Sequence, residues 1–158
     1  RVSVGEAIME PLLVHQMGKG KLERKQIAEE MMQRVKLSPE FFHRYPHEFS
    51  GGQRQRICMA RALAMQPSLL IFDESVSALD VSVQASILNL IADLKQELGF
   101  SAIFISHDLS VIHHVSDRIV VMEKGKIIEE GVASEIFYHP QQAYTQKLIE
   151  AIPGKSIR

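Results

Sequence analysis

A short apolar run that ends in two carboxylates constrains the fold of this chain more than any other feature. Leu69-Leu70-Ile71-Phe72 has the length and composition of a β-strand buried on both faces, and Asp73 and Glu74 follow it directly. Such strands are typical of parallel sheets whose crossover connections are helices. Ligands of these sheets bind beyond the carboxyl ends of the strands. We therefore expect an α/β fold with a functional site next to the two acids.

From residue 51 onward helical and strand-like patterns alternate, whereas residues 1–45 show helical patterns only. The alternation predicts an α/β fold whose parallel sheet carries helices on both faces, beside an α-helical subdomain. We expect an α-helical subdomain at residues 1–45, an α/β core at 46–138 and a helical tail at 139–158. The predicted helices after residue 50 are 51–66, 82–98, 109–115, 134–137 and 142–152, and the predicted strands are 69–72, 102–105, 118–122 and 126–130.

The composition fits a globular domain and argues against several other classes of protein. The 158 residues are 46% apolar and 23% charged with a formal net charge of −1, so no basic excess indicates a nucleic-acid partner. No apolar run approaches the roughly 20 residues of a transmembrane helix. The single cysteine, Cys58, allows no disulfide within the chain, which fits a reducing compartment. Because the sequence begins with Arg1 and not with Met, we interpret it as a piece of a longer protein.

Two glycines at the start of the predicted helix 51–66 form a candidate phosphate site. Gly51 and Gly52 follow Ser50 and precede Gln53. Without a Cβ atom, glycine lets a phosphate approach the backbone amides at a helix start, where the helix dipole is positive. Ser50 can add a hydroxyl donor. A serine N-cap followed by a glycine turn, without any ligand, is the alternative interpretation.

Asp73 and Glu74 suit the two tasks that carboxylates perform in phosphoryl transfer. Because side chains alternate along a strand, the two acids point in different directions. One carboxylate can then serve Mg²⁺ while the other orients an attacking water. Two exposed acids at a strand end are the alternative. His107 follows the predicted strand 102–105, and its imidazole can donate a hydrogen bond to a phosphate.

Taken together, these motifs resemble the ATP-binding-cassette (ABC) ATPase family over essentially all 158 residues. Residues 48–56 are similar to the family's signature sequence, with Phe49 where leucine is commonest. Residues 69–74 resemble its Walker B strand, residues 77–80 its D-loop, and His107 its switch histidine. Segments that look like the oligopeptide and dipeptide importer branch are residues 4–13, 45–49, 80–85 and 139–145.

The resemblance implies a role for each candidate residue. Glu74 corresponds to the general base of ATP hydrolysis, His107 to a second catalytic residue, and Asp73 to the ligand of Mg²⁺. In the family, the signature binds the γ-phosphate of an ATP molecule held by the opposite subunit. For the D-loop aspartate, a simple N-cap of the next helix is the alternative. The residues implied in nucleotide binding are Ser50, Gly51, Gly52, Gln53 and Asp80.

No P-loop (Walker A), the phosphate cradle of this family, occurs in the 158 residues. The pattern requires a glycine, four residues, and then Gly-Lys followed by Ser or Thr. Gly154-Lys155-Ser156 supplies only the end of the pattern, because Ile149 stands where the first glycine is needed. We therefore expect the isolated chain to bind nucleotide weakly and to hydrolyse ATP at a negligible rate.

The resemblance as a whole implies the C-terminal portion of the ATP-hydrolysing subunit of an ABC importer that carries peptides. It implies ATP and Mg²⁺ as cofactors, a second ATPase subunit of the same or a different kind, and a membrane permease that contacts residues 1–45. No nucleic-acid partner is implied, and the location is cytoplasmic, at the inner face of the cell membrane. Two alternatives stay open: a noncatalytic fragment that supplies only the signature half-site, and a soluble ABC ATPase that acts on nucleic acid.

Overall fold

The computed structural model describes residues 2–152, in which helices and strands follow the predicted order. None of the described helices is both long and apolar enough to cross a membrane. The rejected match Gly154-Lys155-Ser156 and the end of the predicted tail lie outside the described residues. The α-helices are α1 (Val4–Val14), α2 (Lys21–Arg34), α3 (Gly51–Leu63), α4 (Val81–Leu98), α5 (Leu109–Val115), α6 (Ala133–Tyr138) and α7 (Ala143–Glu150). The strands are β1 (Leu69–Asp73), β2 (Ser101–Ile105), β3 (Arg118–Glu123) and β4 (Lys126–Val132), and short 3-10 helices span Pro39–His43 and Pro46–Glu48.

Contacts within the chain divide it into two compact units. The first unit is Arg1–Leu70 with Ala78–Ile103, and the second unit is Ile71–Ser77 with Phe104–Arg158. The strands β1 and β2 each begin in the first unit and end in the second. The three-part division expected from the sequence stays a prediction.

The helices α1, α2 and α3 pack against one another in the first unit. Each contributes one apolar face to a common core, because residues three and four apart lie on the same side of a helix. At the start of α1, Ser3 Oγ accepts the Glu6 amide at 3.3 Å while Glu6 Oε2 accepts the Ser3 amide at 2.8 Å. The buried side chains of this core include Val4, Ile8, Leu12, Ala28, Met31, Met32, Ile57, Ala60 and Leu63.

The long helix α4 packs beside α3 in the first unit and ends at the predicted glycine. Gly99 has a φ of 71°, a left-handed conformation that glycine adopts without strain. An ion pair between Arg34 and Glu97 joins α4 to the end of α2, although exposed pairs of this kind stabilise a protein little. The buried face of α4 consists of Ile87, Leu88, Leu90, Ile91 and Leu94.

The strands β1 and β2 pair in parallel, as predicted. Near the strand starts the Ser101 amide donates to the Ser68 carbonyl at 2.9 Å, and at their ends the Glu74 amide donates to the Ile105 carbonyl at 2.9 Å. The prediction that these strands are buried on both faces is wrong for the described chain. Side chains alternate between the two faces of a strand, and one face of this two-stranded sheet is open. Its members, between 47% and 61% exposed, are Leu69, Ile71, Ile103 and Ile105.

The second unit is built on the antiparallel hairpin of β3 and β4. Arg118 pairs with Val132 at the open end of the hairpin, and Glu123 pairs with Lys126 next to the turn. The inner face of the hairpin packs on the helices that precede and follow it. This core consists of Leu109, Ile112, Ile119, Val121, Ala133, Ile136, Phe137 and Ile149.

Glu129 on β4 holds the start of α7. Its carboxylate accepts the Gln141 amide at 2.8 Å and the Gln142 amide at 3.2 Å. The Thr145 hydroxyl, which is buried beside it, makes no hydrogen bond of standard geometry with residues 2–152, so the two amides are the shorter, well-directed contacts. Burial acts to raise the pKa of Glu129, but the Thr145 hydroxyl and the two amides outweigh it and hold this pKa below its ordinary value of 4.5.

Acidification is therefore expected to loosen α7. Because the pKa of Glu129 is lower in the folded than in the unfolded chain, its stabilising effect is complete above pH 4.5 and is lost as the pH falls through the folded value. Protection of the α7 amides from hydrogen exchange should therefore be lower at pH ~3.5 than at pH ~6. In Glu129→Gln this dependence on pH should vanish, whereas the exposed Glu135→Gln control should keep it. Equal protection of the unmodified chain at both pH values would contradict the assignment.

Candidate functional site

Glu74 lies directly after β1, where the chain turns sharply in the second unit. Its backbone has a φ of 45°, in the left-handed region that a residue other than glycine adopts at a cost of roughly 1–2 kcal/mol. The Glu74 amide donates to the Ile105 carbonyl, and the Ser77 amide and Ser77 Oγ donate to the Glu74 carbonyl at 3.3 and 2.9 Å. These hydrogen bonds fix the direction in which the Glu74 side chain leaves the sheet.

The Glu74 carboxylate contacts the imidazole of His107. Nδ1 of His107 lies 3.1 Å from Oε1 of Glu74. An ionised carboxylate only accepts hydrogen bonds, so Nδ1–H of His107 is the donor. The side chains of Glu74 and His107 are 56% and 75% exposed, so both can be reached from solvent. The structure thus brings together the two residues for which the sequence analysis predicts catalytic roles.

His107 is held by its neighbours in the loop between β2 and α5. The Asp108 amide donates to Ser106 Oγ at 3.0 Å. Asp108 Oδ1 in turn accepts the Ser110 amide at 2.9 Å, as the N-cap of α5. These local hydrogen bonds order the loop and fix the position of the histidine backbone.

Asp73, the last residue of β1, presents an exposed carboxylate that makes no hydrogen bond or ion pair with any residue between 2 and 152. Mg²⁺ is commonly held by one or two carboxylates together with phosphate oxygens and water. An unengaged carboxylate next to Glu74 fits a magnesium ion that arrives with a nucleotide. In the described part of the chain, no three or more His, Cys, Asp or Glu side chains cluster to hold a metal by themselves.

The candidate phosphate site lies at the start of α3 in the first unit. Ser50 Oγ accepts the Gln53 amide at 3.3 Å, and Gln53 Oε1 accepts the Ser50 amide at 3.0 Å. This reciprocal capping box means that the N-cap interpretation is correct as a description of local structure. The capping box leaves the helix start able to bind an anion. The Ser50 hydroxyl accepts the capping hydrogen bond and still has its own proton to donate. The first-turn amides of Gly51 and Gly52 have no intrahelical acceptor.

The two glycines also allow a close approach between α3 and the start of α4. A Cβ atom at Gly52 would lie 2.5 Å from Cγ1 of Val83, and one at Gly51 would lie 3.2 Å from Cδ2 of Leu79. Val83 is β-branched, so its side chain cannot rotate away cheaply. Position 52 therefore requires glycine for packing, whatever else it binds. The contact at Leu79 also brings this residue of the predicted D-loop against the start of α3.

Asp80 is the N-cap residue of α4, but its carboxylate makes no capping hydrogen bond. The helix begins with the Gln84 amide donating to the backbone carbonyl of Asp80 at 2.8 Å. The simple-cap interpretation therefore leaves the exposed Asp80 side chain unexplained. Its role in nucleotide binding stays a prediction.

Two residues that hold α3 in place, Arg56 and Val83, carried no predicted role. Arg56 is part of the signature-like sequence 48–56, but no role was predicted for it. Its two hydrogen bonds are made with residues 21 and 30 positions away in the sequence, so no local pattern indicates them. For Val83 a signal did exist, because a glycine within a helix indicates a close neighbour.

The predicted site residues are divided between the two units. The first unit contains Ser50, Gly51, Gly52, Gln53 and Asp80, and the second unit contains Asp73, Glu74 and His107.

Comparison with known proteins points to one family. The model of the ABC transporter family matches residues 1–77. The chain is 52% identical over 153 residues to the glutathione import ATP-binding protein GsiA of Salmonella typhimurium (strain LT2), a match that covers 97% of this chain and 24% of the relative. The chain thus spans about a quarter of the length of the curated relatives it matches.

Two solved structures share the fold. An ABC transporter of metal-chelate type, in an inward-facing conformation, is 25% identical with a TM-score of 0.79, and the match covers 94% of this chain and 57% of the other. The dimeric structure of a bacterial ABC transporter cassette is 29% identical with a TM-score of 0.71, and the match covers 84% and 57% of the two chains. Both likenesses confirm the predicted α/β fold of ABC ATPases.

Proposed function

The chain belongs to the ATP-binding-cassette (ABC) transporter family, and from this premise we propose that it forms part of the ATP-hydrolysing subunit of a peptide importer. The relative named as a glutathione import ATP-binding protein supports the class of solute, because glutathione is itself a small peptide. The segments at residues 4–13, 80–85 and 139–145, which look like the oligopeptide and dipeptide branch, support the same class.

The observation that carries this proposal is the contact between Glu74 and His107 at the end of the parallel strands. Because Oε1 of Glu74 accepts the hydrogen bond from His107, Oε2 is left to accept one from water. A water oriented in this way loses its proton to Glu74 as its oxygen bonds to the γ-phosphorus of ATP, and the bond from that phosphorus to the leaving ADP breaks. His107 restrains the carboxylate through Nδ1–H. Its Nε2 can donate to the phosphate when the ring carries a second proton, because both nitrogens of an imidazolium are donors.

Asp73 is the residue that would hold Mg²⁺. The bound ion would neutralise charge on the phosphates of ATP. Asp73 contributes one anionic ligand from the end of a rigid strand, next to the proposed base. Its unengaged carboxylate supports this role, because no described side chain has to be displaced when a nucleotide brings its own phosphate oxygens.

The signature residues at the start of α3 are proposed to bind ATP that a second ATPase subunit presents. Ser50, Gly51, Gly52 and Gln53 offer a hydroxyl donor, a side-chain amide and first-turn backbone amides to the γ-phosphate. Asp80, at the end of the D-loop, is proposed to face the same partner. A pairing of subunits is supported by the dimeric structure of the bacterial cassette that shares this fold.

A membrane permease is the second proposed partner, and residues 1–45 are its proposed contact surface. This part of the first unit exposes Leu13, Val14 and Leu22, each at least 60% exposed. A cavity of about 440 Å³ lined by Val2, Tyr45, Pro46 and His47 adjoins it. Exposed apolar side chains such as these lose contact with water when a partner covers them. We accordingly place the protein on the cytoplasmic side of the membrane, where its permease and ATP meet.

Reconstitution of the full-length protein with its permease in lipid vesicles tests this function. We expect ATP-dependent uptake of labelled glutathione or short peptides. His107→Ala should reduce both uptake and ATP hydrolysis by about 10²-fold or more, since it removes the restraint on Glu74. The matched control is His114→Ala, an exposed histidine on α5. Hydrolysis that requires nucleic acid, without uptake of any peptide, would instead identify a soluble ABC ATPase.

A further inference from the structure

Arg56 joins three helices of the first unit through one guanidinium group. Its Nη1 donates to the Val35 carbonyl at 2.9 Å, and its Nη2 donates to Ser86 Oγ at 3.0 Å. Arg56 lies on α3, Val35 is the C-cap residue of α2, and Ser86 lies on α4. The side chain therefore connects the signature helix both to the proposed permease-contacting part and to the helix that follows the D-loop.

The geometry of the contacts suits arginine and not lysine. A guanidinium is planar and presents N–H donors in fixed directions, so it can reach two acceptors on different elements at once. The Val35 carbonyl is among those at the end of a helix that lack an intrahelical donor, and the helix dipole there favours a positive charge. A lysine could satisfy one of the two acceptors but could not span both.

The position of Arg56 on α3 adds to the effect of the glycine contact. Residues four apart lie on the same face of a helix, so Arg56 follows Gly52 along the side of α3 that faces α4. On α4, Val83 and Ser86 are three residues apart and likewise share a face. The Gly52–Val83 contact and the Arg56–Ser86 hydrogen bond therefore hold α3 against α4 at two levels. The bond to Val35 ties α3 to a third element.

We propose that Arg56 is a positioning residue, which fixes the rotation and register of α3 and thereby the direction in which residues 50–53 face a phosphate. This inference rests on the proposed function for its effect on ATP hydrolysis. Arg56 itself contacts no nucleotide in the proposed arrangement. Loosening α3 misdirects Ser50 and the first-turn amides, while the groups that bind the rest of the ATP molecule stay in place.

The kinetic test compares Arg56→Lys, Arg56→Gln and Ser86→Ala in the full-length protein. Since a small misplacement of a phosphate-binding group slows the chemical step, we expect kcat for ATP to fall about tenfold in both Arg56 variants, with KM changed by less than about twofold. Lysine should not rescue, because the role needs donors on two separate nitrogens in fixed directions, whereas the three donors of an ammonium all leave one nitrogen. Ser86→Ala, which removes one bond, should have the same effect to a smaller degree.

Arg61→Gln is the matched control, because Arg61 lies on the same helix and pairs with Glu10 at 2.7 Å at an exposed site. Its kcat should equal that of the unmodified protein. Full activity in Arg56→Lys, or an equal loss in Arg61→Gln, would overturn the proposal.

Measuring amide hydrogen exchange in the absence of nucleotide tests the role of Arg56 independently of the proposed function. In Arg56→Gln, loss of the hydrogen bonds from a charged group should speed exchange about tenfold at the amides of residues 35–37 and in the first turns of α3. In Ser86→Ala, which keeps the bond to Val35, exchange should speed up measurably but by less, in the first turns of α3. If the unmodified protein hydrolyses no ATP, the proposed function fails while this measurement still decides the role of Arg56. If Arg56→Gln does not fold, Ser86→Ala alone decides it, and unchanged exchange in that variant overturns the proposal.

Discussion

Replacing Glu74 by glutamine should lower the proposed ATP hydrolysis of the full-length protein by about 10²–10⁴-fold, the usual contribution of a general base. Glutamine has the same shape as glutamate and can still accept the hydrogen bond from Nδ1 of His107, so the local geometry is retained. What is lost is the negative charge that takes the proton from water. Nucleotide binding should be unchanged, because Glu74 orients water and does not hold the phosphates.

Parallel measurements of phosphate release and of nucleotide affinity check this result. Glu135→Gln provides the control, because Glu135 is an exposed glutamate of the second unit on α6, outside the proposed site. Its hydrolysis should match that of the unmodified protein. If Glu74→Gln hydrolyses ATP at the unmodified rate, Glu74 is not the base and the proposed site is wrong. If it loses affinity for ATP as well, Glu74 contributes to binding, and our division of roles between Asp73 and Glu74 fails.

Gly52→Ala is expected to destabilise the chain by about 1–3 kcal/mol, because the new methyl group would overpack the contact with Val83. The Cβ atom would lie 2.5 Å from Val83 Cγ1, closer than two carbon atoms can approach. For a chain of 158 residues, each kcal/mol lowers the melting temperature by about 2–4 °C. Thermal unfolding followed by circular dichroism measures the change.

The double variant Gly52→Ala/Val83→Ala separates the packing role of the glycine from its proposed phosphate role. Val83→Ala removes the clashing methyl, so the melting temperature of the double variant should equal that of Val83→Ala alone. ATP hydrolysis should stay low in the double variant if a phosphate must approach the backbone at position 52. Gly20→Ala is the control, because a Cβ atom there would meet no other atom within 4 Å. An unchanged melting temperature in Gly52→Ala would show that α4 can move away from α3 without destabilising the protein, which would contradict this prediction.

Local patterns predicted the order of helices and strands because those signals depend on neighbours in sequence. The helix end at Gly99 and the strand before Asp73 follow from a left-handed glycine and an apolar run, each within a few residues. The same patterns failed for the outer face of β1 and β2. An apolar residue such as Ile71, which is 61% exposed, indicates that a side chain avoids water but not which element covers it.

The candidate site likewise has features that local sequence predicts and features that depend on the packing of distant elements. Its chemistry could be predicted from short stretches of the chain: an acid pair after a strand, a histidine after the next strand, and two glycines opening a helix. The partners of the site residues could not be predicted in this way. They include the contact of Glu74 with His107, the packing of Gly52 on Val83 and the two bonds of Arg56. These partners lie 21 to 33 residues apart in the sequence. Their meeting depends on how whole helices and strands pack, whereas a periodic pattern reports only the face of its own element.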